Sequence, residues 1–125
     1  MTPLNPLNPV AGCLFCGIVA GDSAADIVRT DQRTVAFRDI HPQAPVHVLV
    51  VPRRHITNAS TVTAADADDV TALLLAAREV AEAEGIAGED RGYRLVFNVG
   101  PDALNSVDHL HLHVLGGRTF DWPPG

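Results

Sequence analysis

Residues 105–117 read NSVDHLHLHVLGG. Three of the chain's six histidines, His109, His111 and His113, stand at alternate positions here, separated by Leu110 and Leu112. A helix would point His111 away from the other two rings. A strand repeats every two residues and puts all three on one face. Leu110, Leu112 and Val114 then form an apolar row against a core. Gly116 and Gly117 end the element. The expectation is a half-buried strand with an imidazole face, successive rings roughly 6–7 Å apart.

The neighbouring segments build a sheet around it. Residues 92–100, GYRLVFNVG, alternate Tyr93, Leu95, Phe97 and Val99 against Arg94, Val96 and Asn98, again a strand pattern. The stretch 100–105 is short enough to join these two strands as an antiparallel pair. Residues 46–52, VHVLVVP, form a β-branched run ended by Pro52. Residues 25–30 and 33–40 read as two short strands turning near Asp31 and Gln32, and HPQAP at 41–45 is a loop. One long helix is expected over about 64–84. Val70, Leu73, Leu74, Ala77, Val80 and Ala81 make its apolar stripe. Thr63 and Asp66 are placed as a capping box and Gly85 as the residue that ends it. Strands, long helix and strands again give an α+β domain on an antiparallel sheet.

Composition bounds the rest. At 125 residues and 46% hydrophobic, the chain holds one domain with a real core. No apolar run approaches the roughly 20 residues of a membrane span. Residues 1–12 carry no secretion signal and read as a flexible arm before a domain at 13–125; the expected location is cytoplasmic. A net charge of −6 argues against non-specific nucleic-acid binding. Cys13 and Cys16, in CLFC, leave three readings open: a redox pair, half a zinc site, or two core thiols. CLFCGIVA itself fits a short helix or a turn.

Taken singly, several residues are ambiguous. Three alternating histidines could be a surface metal patch. His47, between Val46 and Val48, reads alone as a core histidine. Asp39 could be a turn residue, Asn98 a strand-end amide and Ser106 a turn hydroxyl. Arg53 and Arg54 read as a solvated strand end, and Trp122 as a packing residue.

The motifs together narrow these readings. HLHLHVLGG, CLFCGIVAGD, VAFRDIHPQAPVHVLVVPRRHI, GYRLVFNVG and the terminal WPPG resemble, in order and spacing, the histidine triad (HIT) family, in its nucleotide-binding branch. The resemblance covers nearly all of residues 13–125. It implies a five-stranded antiparallel sheet with one long helix and a short N-terminal helix, assembled as a homodimer. It implies hydrolysis of purine nucleoside phosphoramidates, AMP–amine compounds, at the α-phosphate through a nucleotidyl-histidine. The alternatives are a dinucleoside polyphosphate hydrolase of the same fold and a non-catalytic nucleotide-binding scaffold.

By motif position, the resemblance makes His111 the nucleophile. His113 and His47 then line a phosphate pocket with Asn98 and Ser106 beside them, Ser106 being counted with the catalytic set. Asp39, with Ile40, holds the ribose, and Cys13, Cys16, His55 and His109 match a structural zinc site. The C-terminal tail carrying Trp122 would lie near the active site or the dimer seam. Two features depart from the family pattern: Ala103, Leu104 and Asn105 replace the usual glycines and Gln-Ser pair, and Asp108 stands where an apolar or aromatic residue is common. Both bear on the leaving group and neither touches the nucleophile.

Overall fold

The computed structural model describes residues 7–125; the first half of the expected N-terminal arm, residues 1–6, lies outside the described residues. Seven regular elements follow: α1 (Leu14–Ala20), β1 (Ile27–Thr30), β2 (Thr34–Arg38), β3 (Val46–Pro52), α2 (Ala67–Ala83), β4 (Tyr93–Val96) and β5 (Leu112–Gly116). The strands form one antiparallel sheet in the order β1-β2-β3-β5-β4. The α+β fold with one long and one short helix is therefore as expected. Among the described residues, no helix is long and apolar enough to cross a membrane.

Local chemistry accounts for the punctuation. Asp31 turns β1 into β2: its carboxylate accepts the backbone N–H groups of Arg33 (2.9 Å) and Thr34 (2.7 Å). The capping box forms, with the Thr63 N–H donating to Asp66 Oδ2 at 2.9 Å, but it caps a 3₁₀ turn at Ala64–Asp66. The α-helix itself begins at Ala67. Gly85, at φ +75°, ends the helix in the left-handed region.

The sheet is covered on both faces, because β3 is buried along nearly its whole length. On one face, Leu73, Ala76, Ala77, Val80 and Ala81 of α2 pack with Ile86 onto Ala36, Val48, Val50, Leu112 and Val114. Leu74, expected in that stripe, is exposed; Ala76 takes the sheet-facing place. On the other face, Phe15, Ile18 and Val19 of α1 pack onto Val35, Phe37, Leu49 and Val51. Gly116 has a steric reason: a Cβ there would come within 2.6 Å of Ile86.

Arg54 is exposed, as expected of a solvated strand end, but it is also paired, and Arg53 is half-buried. Arg54 Nε lies 3.4 Å from the buried carboxylate of Asp69, which Arg33 also holds at 2.9 Å. A buried carboxylate needs such partners, and they tie the start of α2 to β2 and to the chain just after β3. The Arg53 guanidinium donates to the Asp31 carbonyl. Leu7 pairs with Arg54, so the later part of the expected arm lies along the same chain segment.

The two decisive strands are shorter than their alternation predicts. β4 stops at Val96, whose partner His113 is the last in that ladder. In β5 the ladder begins at Leu112, leaving His109 and His111 in the approach to it. The leucine row nevertheless behaves as expected, with Leu110, Leu112 and Val114 all in the core beneath α2. The ladder cannot extend past Leu112 in regular register. Its partner, β3, ends at Pro52, and the Leu110 N–H turns instead to the Ile56 carbonyl at 2.6 Å.

Candidate functional site

The register of the sheet assembles the site. Leu49 pairs with Phe37 and with His113, and His47 pairs with Leu115. The Asp39 N–H donates to the His47 carbonyl at 3.0 Å, which continues the β2–β3 pairing by one residue. Directly paired residues share a face, so Asp39, His47 and His113 meet on the α1 side of the sheet. The imidazole face is not half-exposed as expected. His109 is fully buried and His111 only 8% exposed, because Phe15 of α1 covers both.

Hydrogen bonds set the protonation of each ring. His111 Nδ1 lies 2.8 Å from the His109 carbonyl. A carbonyl only accepts, so Nδ1 carries the proton and Nε2 keeps a free lone pair. His47 Nδ1 accepts the Gln43 N–H at 3.0 Å, so in the neutral ring the proton sits on Nε2. That nitrogen is 2.8 Å from His113 Nδ1 and donates to it. His113 is left with its proton on Nε2, 3.4 Å from the Asn98 amide nitrogen; both are donors, so they do not bond each other and both remain available to a third group that accepts.

Burial, with His111 and His47 beside it, pushes the His113 pKa down to about 4. Burial also lowers His47, against the pull of the Asp39 carboxylate 3.4 Å from its Nε2.

A cavity of about 320 Å³ opens beside these rings. Asp39, Ile40, Ser106, His111 and His113 line it together. His47 does not: it is 5% exposed and touches His113 from behind. Asn98 stands at the far side of the His113 ring. Asp39 Oδ1 accepts the His41 N–H at 2.8 Å, which holds the carboxylate at the cavity edge.

Sequence reasoning missed the apolar wall, made by Leu14, Phe15, Ile18, Phe37, Leu49 and Val107. It also missed the backbone of Gln43. The wall had a faint signal, since Leu14, Phe15 and Ile18 share one face of a helix. The Gln43 amide had none, because a backbone donor leaves no mark on residue identity.

A second cluster adjoins the first. The Sγ atoms of Cys13 and Cys16 and the Nδ1 atoms of His55 and His109 lie within 4.8 Å of one another. His109 Nδ1 is 3.4 Å from Cys13 Sγ and 3.5 Å from Cys16 Sγ, and His55 Nδ1 is 3.4 Å from Cys16 Sγ. The donor set fits a metal. His109 Nε2 lies 2.9 Å from the Pro52 carbonyl, so its proton sits there and the Nδ1 lone pair faces the thiols. Backbone N–H groups of Val10 and Cys16 donate to the sulfurs of Cys16 and Cys13, an arrangement that favours thiolates. In the metal-free chain, burial pushes the Cys16 thiol up.

Asp39, His47 and His113 also converge, but they fit a metal poorly. Ligation through His47 Nε2 would strip its proton while Nδ1 still accepts from Gln43, leaving an imidazolate.

The His113 shift carries a stability prediction. The unfolded ring titrates near 6.5 and the folded ring near 4. Between those values the unfolded chain binds more protons, so stability falls as pH drops from 6.5 toward 4. Thermal melts at pH 7.5 and pH 5 should show this loss, and His113→Asn should lessen it. An equal loss in the variant would place its origin elsewhere.

Comparison with known proteins gives consistent results. A family model described as HIT domain matches residues 20–120. An uncharacterised HIT-like protein of Synechococcus elongatus is 45% identical over 112 residues, covering 90% of this chain and 96% of the relative. Among solved structures, a HIT family hydrolase from Legionella pneumophila superposes with a TM-score of 0.87 at 46% identity, over 91% of this chain and all of the other. A zinc-bound histidine triad family protein from Mycobacterium smegmatis superposes with a TM-score of 0.74 at 29% identity, over 89% and 78% of the two chains.

Proposed function

The chain belongs to the HIT-domain family and has the fold of its hydrolases, and from that premise we propose that it hydrolyses purine nucleoside phosphoramidates at the α-phosphate. One observation carries the reading: His111 presents an unprotonated Nε2 at a cavity, its tautomer held by the His109 carbonyl. A neutral, oriented imidazole is a competent nucleophile at pH 7. Nε2 attacks phosphorus, the P–N bond breaks, and the amine leaves with the electron pair, its nitrogen having been protonated from solvent before departure. Water then attacks the nucleotidyl-histidine, releasing the nucleotide and restoring His111.

His113 Nε2–H, the Asn98 amide and the Ser106 hydroxyl supply hydrogen bonds to the phosphate oxygens as charge develops. His47 acts through His113, fixing it as a donor. The apolar wall takes the base, with Asp39 and Ile40 at the ribose.

Leaving-group chemistry favours an amine over a polyphosphate. Arg38 lines the cavity, but its guanidinium is already paired with Asp26 at 3.4 Å and with Glu84. Asp108 stands on the loop next to Ser106, where it suits a cationic amine and repels a phosphate chain. A fluorogenic adenosine phosphoramidate should therefore turn over much faster than a diadenosine polyphosphate. The reverse order would overturn the assignment, and tight AMP binding with no turnover of either compound would favour a scaffold.

Cys13, Cys16, His55 and His109 would hold zinc. Four protein ligands make a closed set, so the ion would supply structural cross-linking.

Asp39→Ala should weaken AMP binding by about tenfold and narrow the preference for ribo- over deoxyribonucleotides, because a carboxylate can accept from both vicinal hydroxyls. Binding titrations with AMP and dAMP test this; unchanged discrimination would return Asp39 to a turn role.

The protein further acts as a homodimer in this proposal. β4 is an open sheet edge with Leu95 exposed. Trp122 packs little within one chain, being 82% exposed. Such an edge needs a cover. Light scattering at micromolar concentration should give twice 13.3 kDa; a monomer mass would count against it.

A further inference from the structure

We propose that the Cys13–Cys16–His55–His109 cluster positions the nucleophile, so that filling it with metal orders the His111 ring for attack. The inference rests on the reading of His111 as nucleophile and goes beyond a purely structural role for the cluster.

Two physical links join the cluster to His111. The first is His109 itself. Its ring Nδ1 faces the two thiols, while its own backbone carbonyl is the acceptor, at 2.8 Å, that keeps the proton on His111 Nδ1. The His109 side chain is fully buried and tethered at its other nitrogen by the Pro52 carbonyl. With the ring held at both nitrogens and buried, its two side-chain torsions have little room to turn, so a pull on the ring is passed to the backbone that carries the carbonyl.

The second link is Phe15. It lies between the two cysteines in sequence, on the first turn of α1, whose N-cap is Cys13. Its ring meets His111 at 5.1 Å and 87° and His109 at 6.0 Å and 71°. Edge-on aromatic contacts of this kind have a preferred geometry. Any shift of the thiol-bearing turn is thus passed to the face of the nucleophile. Phe15 is in this sense a positioning residue: it acts on the reaction through His111.

The balance of forces makes the coupling testable. Among the described residues, the four side chains are joined directly to one another only by thiol–imidazole contacts of 3.4–3.5 Å and by the edge-on packing of the His55 and His109 rings at 4.9 Å. With a metal, four strong bonds draw α1, the segment after β3 and the approach to β5 to one point. The His109 carbonyl and Phe15 are then held in place, and the His111 ring, whose tautomer that carbonyl already sets, is confined to one orientation. A small misplacement of a reacting group is enough to cost one to two orders of magnitude in rate.

The experiment compares the full chain loaded with zinc and stripped by a chelator, with histidine rings labelled with ¹⁵N. In the loaded protein the His111 ring should show a single tautomer, protonated at Nδ1. In the stripped protein the tautomer should persist while the ring signals broaden, because the ring samples more than one orientation, with kcat on a phosphoramidate down about tenfold or more and AMP affinity changed about threefold at most. Phe15→Leu, kept loaded with zinc, decides the case if the stripped protein does not fold. It should retain the bound zinc yet show the broadened ring signals and the lower kcat. Identical His111 signals in loaded and stripped protein, or an unchanged ring in Phe15→Leu, would overturn the proposal. If the wild type turns over no phosphoramidate, the substrate assignment fails instead, while the ring signals still decide whether the cluster orders His111.

Discussion

His111→Gly is expected to abolish turnover while leaving nucleotide binding nearly intact. The ring lines the cavity, and the His109 carbonyl fixes its proton on Nδ1 and so leaves a lone pair on Nε2. Removing a covalent nucleophile costs several orders of magnitude in kcat, because the remaining route needs direct attack by water. The other contacts stay. His113 keeps its proton on Nε2 through His47 and Gln43, and Asp39 keeps its place beside His41. AMP should therefore bind within a few-fold of wild type. Rapid quench of the wild type on a phosphoramidate should trap nucleotide in acid-labile linkage to His111. A variant retaining more than about a tenth of wild-type kcat would rule out the covalent route.

Chelation of the Cys₂His₂ cluster is expected to lower the melting temperature by about 10 °C, and Cys13→Ser should reproduce most of that loss. The four ligands come from three places far apart in the chain: the start of α1, the segment after β3 and the approach to β5. A metal that binds them only when folded stabilises the folded state by its binding free energy. Metal analysis should find about one zinc per chain, falling in Cys13→Ser. Equal melting of stripped and loaded protein would show that the cluster works as packed thiols and imidazoles, with the thiols behaving as small apolar groups. The size of the effect separates this cluster from surface histidine patches, whose exposed ligands join no distant segments.

Some of this molecule was legible residue by residue. The alternation in 105–117 set which side of that segment enters the core, because side-chain direction in extended chain depends only on parity. Leu110, Leu112 and Val114 obeyed it even where the ladder stops. The end of α2 was legible from Gly85, and Thr63 and Asp66 marked the capping box that closes a 3₁₀ turn just before the helix begins, since capping is a local matter of orphan hydrogen bonds. The HIT resemblance was legible because the motifs recur in order over most of the chain, and the matched family model spans 20–120.

Other features depended on partners that the sequence does not reveal. Alternation alone leaves the exposure of the histidine face undecided; Phe15 on α1 covers it. Pattern alone reads His47 as a core histidine. The structure puts it behind His113, with its tautomer set by one backbone N–H of Gln43. Arg54 looked like a solvated end until Asp69, on a helix that begins a dozen residues later, was seen to lie beside it. Local propensity, capping and parity act within a few residues, so the chain alone determined its elements and their faces. Tautomers, burial and metal geometry are set by groups that meet across the sheet. Only the tertiary structure decided which histidine keeps a free lone pair, because hydrogen-bond satisfaction is a property of neighbours in space.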